Sequence, residues 1–416
     1  MRVRKLCGYC KQAPREDREV DRHTNQHLVP IGATTLWRRS DDSHILYPRL
    51  LGNESPASHL GPDSTAVAMG TSEPDFKGTF HITIIGAGLA GLVAAIALAK
   101  SGYKVTILER DSELREVRRA YTTKDTPTFT KAFLQWGAGI QIPSNCAKVL
   151  REVGILNQVR ARSTQPRTHS VLSYNSGAIL SKQDMIPIIE TAFGAPHLVI
   201  HRAVFQKVLV QQVETLPAIN IQLGAILDPT LSDFGRGSIC FSIDGNETKE
   251  VTTDLIIGAD GERSMCREIL LGRPDPPKPS GYVAYRLLIE GSKILESPET
   301  SLHDLVNDPG VNVWQGPESH AVSYMLDGIL NLVLFKPSAS SSSGASSLKP
   351  ELVGGEELRS QFVEWEPRIQ ALLGLVVDCI KWEILETEEL KEWVHPDGHF
   401  VLMGDSAHAM LPFLYA

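Results

Sequence analysis

The sequence predicts an α/β protein in which a Rossmann-like unit is joined to a separate β-sheet region. Three observations carry that reading. An apolar run, a glycine-rich turn and an Ala/Leu-rich stretch follow one another over residues 80–100, and a second apolar run ends at Glu109. Residues 281–335 alternate strand-like runs with turn residues. The chain has 416 residues, 42% of them apolar and 22% charged, which is ample for more than one domain and excludes collagen-like, coiled-coil and wholly disordered chains.

Taken in order, residues 28–78 hold five prolines among many Ser, Thr and Gly without sustained periodicity, and read as linker. Residues 80–85 read as a buried strand, 89–100 as a helix and 104–108 as a second strand, giving a βαβ unit. A helix follows over 145–153, closed by Gly154. Alternation predicts strands at 169–174 and 178–181. Residues 202–216 repeat Val204, Val208, Val213 and Leu216 at helical spacing. Strands follow at 220–223, 238–243 and 254–257. Those at 282–289, 321–326 and 329–335 read as one antiparallel sheet. Ser-rich residues 338–347 form a surface loop. Helices at 356–365 and 367–375 and a strand at 400–403 complete the chain, and no internal repeat is present.

Charge divides the chain. Residues 1–68 carry 10 Lys and Arg against 8 Asp and Glu, whereas the rest carries 31 against 41. That acidic body argues against nucleic acid as a partner, because phosphate binding needs a Lys/Arg surface. Six scattered cysteines do not make a secreted disulfide framework, so a reducing, cytoplasmic setting is expected. Residues 82–99 are uncharged and at the lower edge of a membrane span. Their glycines follow a β-type run directly, which suits a nucleotide-binding turn, and no transmembrane segment is assigned.

The first motif is Gly86-Ala87-Gly88-Leu89-Ala90-Gly91. Gly86 permits a tight turn, Gly88 lets backbone approach a pyrophosphate, and Gly91 allows close helix–strand packing, with the helix N-terminus facing the phosphates. Glu109 stands 18 residues beyond Gly91, at the end of the next strand, where a carboxylate accepts ribose hydroxyls. The second motif is Gly258-Ala259-Asp260-Gly261, with Arg267 a turn later. The third is Gly404-Asp405-Ser406-Ala407-His408, delivered by an apolar strand. Either of these two, taken alone, also reads as structural capping. His408 reads as structural.

Together and in this order, the three motifs resemble the class A FAD-dependent aromatic monooxygenases of the para-hydroxybenzoate hydroxylase type, in their salicylate-hydroxylase-like fungal branch. The resemblance continues through Gly137-Ala138-Gly139-Ile140-Gln141, His201-Arg202, Gly281-Tyr282-Val283-Ala284-Tyr285-Arg286 and Trp314-Gln315-Gly316-Pro317. It extends to His320, Tyr324 and Lys381-Trp382, and so spans nearly all of 79–414. It implies a Rossmann-like FAD-binding domain interleaved with a β-sheet substrate domain. The FAD domain is expected from 79–164, 196–275 and 396–416, and the substrate domain from 165–195 and 276–395.

By the same resemblance, Gly86, Gly88, Gly91 and Glu109 hold the ADP half of FAD, with Gly139 beside the cofactor. Arg202 reaches the flavin side, Gly404 and Asp405 hold the ribityl–pyrophosphate region, and Asp260 supports the domain. No second GxGxxG in a strand–turn–helix setting is present. One resident dinucleotide is therefore expected, with NAD(P)H as a transient co-substrate. The implied activity is hydroxylation of a small phenolic or related aromatic compound by O2 through a flavin hydroperoxide. Arg286 and Tyr324 are the substrate-side candidates, because a guanidinium stays charged and pairs with phenolate or carboxylate. On the residues alone, Arg286 reads equally as a surface or interdomain ion pair, and Tyr324 reads first as an ordinary sheet aromatic.

Two segments depart from the family pattern. Residues 118–136 interrupt it beside the cofactor site and read as an insertion, such as an intron retained in frame. The chain also ends where the family continues into a Gln-Gly loop and a helix. At the head, Cys7, Cys10, His23 and His27 have C2H2 zinc-finger spacing, but Pro14 stands where such fingers keep an aromatic core residue. Met69 reads as an alternative start. Two other functions remain open at this point. One is an FAD epoxidase or reductase of the same fold, and the other a zinc-finger DNA-binding protein with a decayed flavin domain.

Overall fold

The computed structural model describes residues 80–114, 139–246, 248–338 and 350–412. Cys7, Cys10, His23, His27, the linker, the 118–136 insertion and most of the Ser-rich loop lie outside the described residues.

Strand β1 (His81–Ile85) is buried over four of its five residues, so it needs cover on both faces. Helix α1 (Leu89–Lys100) supplies part of that cover. Ala and Leu dominate it, and Ser101 and Gly102 (φ +96°) end it. Strand β2 (Lys104–Leu108) pairs parallel to β1 and completes the βαβ unit. Three later strands join them: β7 (Ile219–Gln222), β11 (Leu255–Gly258) and β18 (Phe400–Leu402). The sheet order is β18-β11-β1-β2-β7, parallel throughout.

The chain leaves this parallel sheet twice to build a second, eight-stranded one. The first excursion gives β4 (Thr168–Ser173) and β5 (Ile179–Asp184). The second gives β12 (Lys278–Glu290), β13 (Val311–Gly316), β14 (Ser319–Leu326), β15 (Ile329–Pro337), β16 (Glu351–Gly354) and β17 (Asp378–Glu386). The order is β16-β17-β12-β15-β14-β13-β4-β5. Sequence alternation placed one antiparallel sheet within 281–335. The sheet is larger than that and mixed, because β13 pairs parallel with β4. Alternation marks which residues form strands, but distant pairing is set by tertiary packing.

One face of this sheet is covered by Phe362, Trp365, Ile369 and Leu372, packed on Tyr285, Leu287 and Ile289. The predicted helix over 356–365 is shorter than expected. Helix α5 (Gly355–Ser360) stops so that Phe362 and Trp365 can turn inward, before α6 (Pro367–Gly374) begins with Pro367 in its first turn. The other face meets the parallel-sheet half. There β3 (Gly139–Ile142) and β6 (Leu198–His201) form an antiparallel ribbon, and Val199 of that ribbon packs on Val311, Val313, Tyr324 and Leu326. Between them in the chain lies helix α2 (Ser144–Glu152), and after β6 comes helix α3 (Arg202–Glu214). A small sheet of β8 (Ala225–Leu227), β9 (Ser238–Ile243) and β10 (Thr248–Thr252) packs through Ile239 and Phe241 on Ile85, Leu108 and Ile256 of the parallel sheet. Among the described residues no helix is long and apolar enough to cross a membrane.

Candidate active site

The three glycine-containing motifs converge because their strands are neighbours. β1, β11 and β18 lie side by side and parallel, so Gly86, Gly258 and Gly404 all lie at the C-terminal ends of strands, where α/β sheets bind ligands. Gly86 has φ +107°, and a Cβ on it would stand 2.5 Å from the carbonyl oxygen of Ala259. Gly91 passes close under the same turn. Gly88 is different, because a Cβ there would meet nothing within 4 Å. It caps α1 without a side-chain hydrogen bond, and the first turn of the helix carries no acidic residue. The free N–H groups and positive dipole end of α1 therefore face open space, which is the environment a pyrophosphate needs.

Glu109 organises this turn. Its Oε2 accepts from the Ala87 N–H at 2.7 Å and its Oε1 from the Asp111 N–H at 2.9 Å. A carboxylate has about four acceptor positions, so capacity for ribose hydroxyls remains. Asp260 is committed within the protein. Its carboxylate accepts from the hydroxyls of Ser264 and Ser406 and from the Cys266 N–H, while Ser406 Oγ also accepts from the Gly261 N–H. It thus joins the second motif, at the start of helix α4 (Met265–Leu271), to the third, at helix α7 (Asp405–His408). Arg267 reinforces that joint from full burial. It pairs with Asp275 at 2.7 Å and donates to the carbonyls of Ala407 and Glu388. Gly404 (φ +61°) packs against Ala90 of α1, and the Asp405 carboxylate is exposed with no side-chain hydrogen bond among the described residues.

A second group of residues extends the site toward the eight-stranded sheet. Gln206, on α3, donates to the Ala87 carbonyl at 3.4 Å, and its Oε1 is buried without a partner. One turn earlier, Arg202 opens α3 and His201 accepts from the Ala203 N–H through Nδ1, leaving its Nε2 buried and unpaired. Gly139 pairs with His201 in the ribbon, and a Cβ on Gly139 would lie 2.8 Å from the Tyr324 hydroxyl. Arg286 stands on the same sheet face. Its guanidinium lies 4.8 Å from the centre of the Trp382 ring, and its Nε is shut off from solvent with no partner.

Burial and charge set the protonation states here. Burial pulls Arg286 down to about 10, with Arg202 adding repulsion and Tyr324 opposing it, so the guanidinium stays charged at neutral pH. Burial pushes the Tyr324 hydroxyl well above the usual phenol range, keeping it neutral. His320 stacks on Phe335 with centroids 4.5 Å apart, and burial lowers it to about 4. An apolar box of Ala284, Val333, Phe335, Ile384 and Trp382 lies on this face, closed by Leu411 just beyond the third motif.

The sequence-predicted residues therefore fall into two connected groups. Gly86, Gly88, Gly91, Glu109, Asp260, Gly404 and Asp405 gather at the parallel-sheet edge, while Gly139, Arg202, Arg286 and Tyr324 gather at the sheet-facing end. Gln206 and Ser406 were not singled out by sequence. Gln206 had a usable signal, standing one turn beyond Arg202 on the same helix face.

Comparison with known proteins bears on the family and the fold. The NAD(P)-binding Rossmann-like domain matches residues 84–131. The chain is 32% identical to the FAD-dependent monooxygenase OpS4 of Beauveria bassiana (strain ARSEF 2860) over 340 residues, covering 80% of this chain and 72% of that protein. The chain belongs to the class A FAD-dependent aromatic monooxygenases. It is 29% identical to 6-hydroxynicotinate 3-monooxygenase of Pseudomonas fluorescens, over 80% of this chain and 77% of that one. A salicylate hydroxylase substrate complex shares the fold with a TM-score of 0.61 at 21% identity, over 81% of this chain and 75% of that chain.

The residues present fit FAD, the cofactor of this family. Open space at Gly88, the unused capacity of Glu109, the exposed Asp405 and the orphaned atoms of Gln206 and His201 are the features that would hold it.

Proposed function

We propose that this monooxygenase hydroxylates a small phenolic or related aromatic compound, with O2 and transient NAD(P)H as co-substrates, in a reducing cytoplasmic setting. The observation that carries the substrate side is Arg286: charged, stacked on Trp382 and with an unpaired Nε, beside an apolar box. In this reading Gly86, Gly88, Gly91 and Glu109 hold the ADP half of FAD. Asp405 and Gly404 hold the ribityl–pyrophosphate region, and Arg202 and Gly139 lie along the flavin. FAD, when bound, supplies the electron transfer and oxygen activation that no side chain here can perform.

The chain's own residues bind, orient and desolvate. Arg286 pairs with a phenolate or ring carboxylate and, fixed by Trp382, sets the ring's direction. Tyr324 stays protonated and donates a hydrogen bond. His320 stays neutral at pH 7 and stacks on Phe335 along the same face. Leu411, Phe335 and Ile384 exclude water from the ring.

The test is purification of the chain followed by measurement of bound FAD, of NAD(P)H oxidation stimulated by phenolic compounds, and of hydroxylated product. Yellow protein with stimulated oxidation and product is expected. Colourless protein, or flavoprotein that oxidises NAD(P)H without forming hydroxylated product from any phenolic tried, overturns the reading.

A further inference from the structure

Strand β5 (Ile179–Asp184) ends the eight-stranded sheet and, among the described residues, pairs only with β4. All of its residues except Gln183 are exposed, with Ile179 and Leu180 each at 60%. Ile186 and Ile188, just beyond the strand, are exposed as well. An open strand edge flanked by exposed apolar side chains is a template for another strand. The backbone shows which residues point outward. The Met185 N–H donates to Arg167 O at 2.8 Å, so Met185 and Gln183 direct their N–H and C=O groups toward β4. Lys182 and Asp184 direct theirs away from the sheet, and among the described residues neither has an ion pair.

We propose that β5 is a dimer interface, on which a second copy of this chain adds its own β5 antiparallel about a twofold axis through Gln183. Backbone and charge together fix that register. In an antiparallel pair, outward-directed residues face one another, so the twofold axis falls on a residue and not between two. An axis at Lys182 sets two ammonium groups against each other, and one at Asp184 sets two carboxylates. An axis at Ser181 leaves both charges without a counterpart. At Gln183 each Lys182 stands directly opposite the partner's Asp184, which gives two cross-strand ion pairs. A lysine on an edge strand ordinarily blocks strand addition, and Asp184 in this register turns it into an attraction. The apolar side chains at 179, 180, 186 and 188 leave water beside the paired strands. β5 lies five strands from β12, so the candidate active site stays open in the dimer.

Sedimentation of the full chain over a concentration series tests this, with flavin absorbance recorded alongside. The wild type is expected to dimerise. Lys182→Glu and Asp184→Lys each set like charges opposite one another, and each should weaken the dimer at least about tenfold with flavin content unchanged. An equimolar mixture of those two variants should recover dimer, because each then meets a complementary strand. Gln183→Cys should form an intermolecular disulfide under mild oxidation above the wild-type background, since a non-hydrogen-bonded antiparallel pair brings Cα atoms to about 4.5 Å. Ser181→Cys should not. Should either charge variant not fold, the two cysteine variants read the same register. A wild type still monomeric at about 100 µM overturns the inference. So do single variants that dimerise as the wild type does, a mixture that stays monomeric, or crosslinking that favours Ser181→Cys.

Discussion

Gly91 lies so close beneath Gly86 that a Cβ on Gly91 would stand 2.1 Å from the Gly86 carbonyl oxygen. That oxygen is backbone in a turn fixed by the Gly86 N–H donating to Leu108 O at 2.8 Å, so it has little room to yield. Gly91→Ala is expected to destabilise the fold by about 3 kcal/mol and to release FAD, read by denaturation midpoint and by flavin absorbance. Gly88→Ala is the contrast. With φ −71° and open space at the Cβ, it should leave the FAD-free midpoint unchanged while weakening dinucleotide binding at least tenfold.

The Asp260 carboxylate ties two motifs that lie more than 140 residues apart in sequence. Asp260→Asn turns an acceptor into a donor facing the Cys266 N–H or a serine hydroxyl, and should cost about 2 kcal/mol. Ser406→Ala should cost about half as much, and the double variant less than the sum, because both changes break one shared bond. Urea midpoints of the three variants check this.

Arg267 is buried with Asp275 as its counter-ion, and Arg273 also reaches Asp275, at 2.9 Å. Arg267→Ala leaves two carbonyls and part of a carboxylate unsatisfied inside the protein. A loss of about 3–5 kcal/mol is expected. Chemical denaturation measures it, and a loss below about 1 kcal/mol would contradict the assignment.

The stacked pair Arg286 and Trp382 should behave as a unit. Arg286→Lys keeps the charge but loses the planar face and the fork, so KM for an aromatic acid should rise about tenfold or more while FAD content holds. Trp382→Leu should raise KM by a smaller factor. Steady-state kinetics with parallel flavin measurement separates these outcomes.

Two partly buried histidines give the fold a pH dependence. Burial lowers His197 to about 4, with His169 adding repulsion, and lowers His320 to about 4. Both titrate near 6.5 when unfolded. Between these values the unfolded chain binds more protons, so stability falls as pH drops from about 6.5 toward 4 and levels off below. The loss is roughly 3 kcal/mol per histidine at full charge. Denaturation midpoints across this range should show the slope, and His197→Gln should flatten part of it.

Local chemistry was legible in the residues. Glycines in a strand–turn–helix setting, an acid at the next strand end and alternation along β12, β14 and β15 each report a short-range constraint, and short-range constraints leave periodic or positional marks. Helix α1 and strand β2 match their predicted limits for that reason. The parallel β4–β13 contact left no such mark, since its partners are far apart in sequence and either strand alone reads the same in another sheet.

The sequence by itself therefore determined the glycine turn between strand and helix, the acid at the end of the next strand, the order of the three motifs and the family they belong to. Only the tertiary structure decided that Asp260 holds the protein together, that Gln206 links the glycine turn to the sheet-facing end, and that Arg286 lies on Trp382. It alone shows Asn331 buried with neither amide atom hydrogen-bonded among the described residues. Whether a polar group is satisfied depends on what distant strands and helices bring against it, and no local pattern records that.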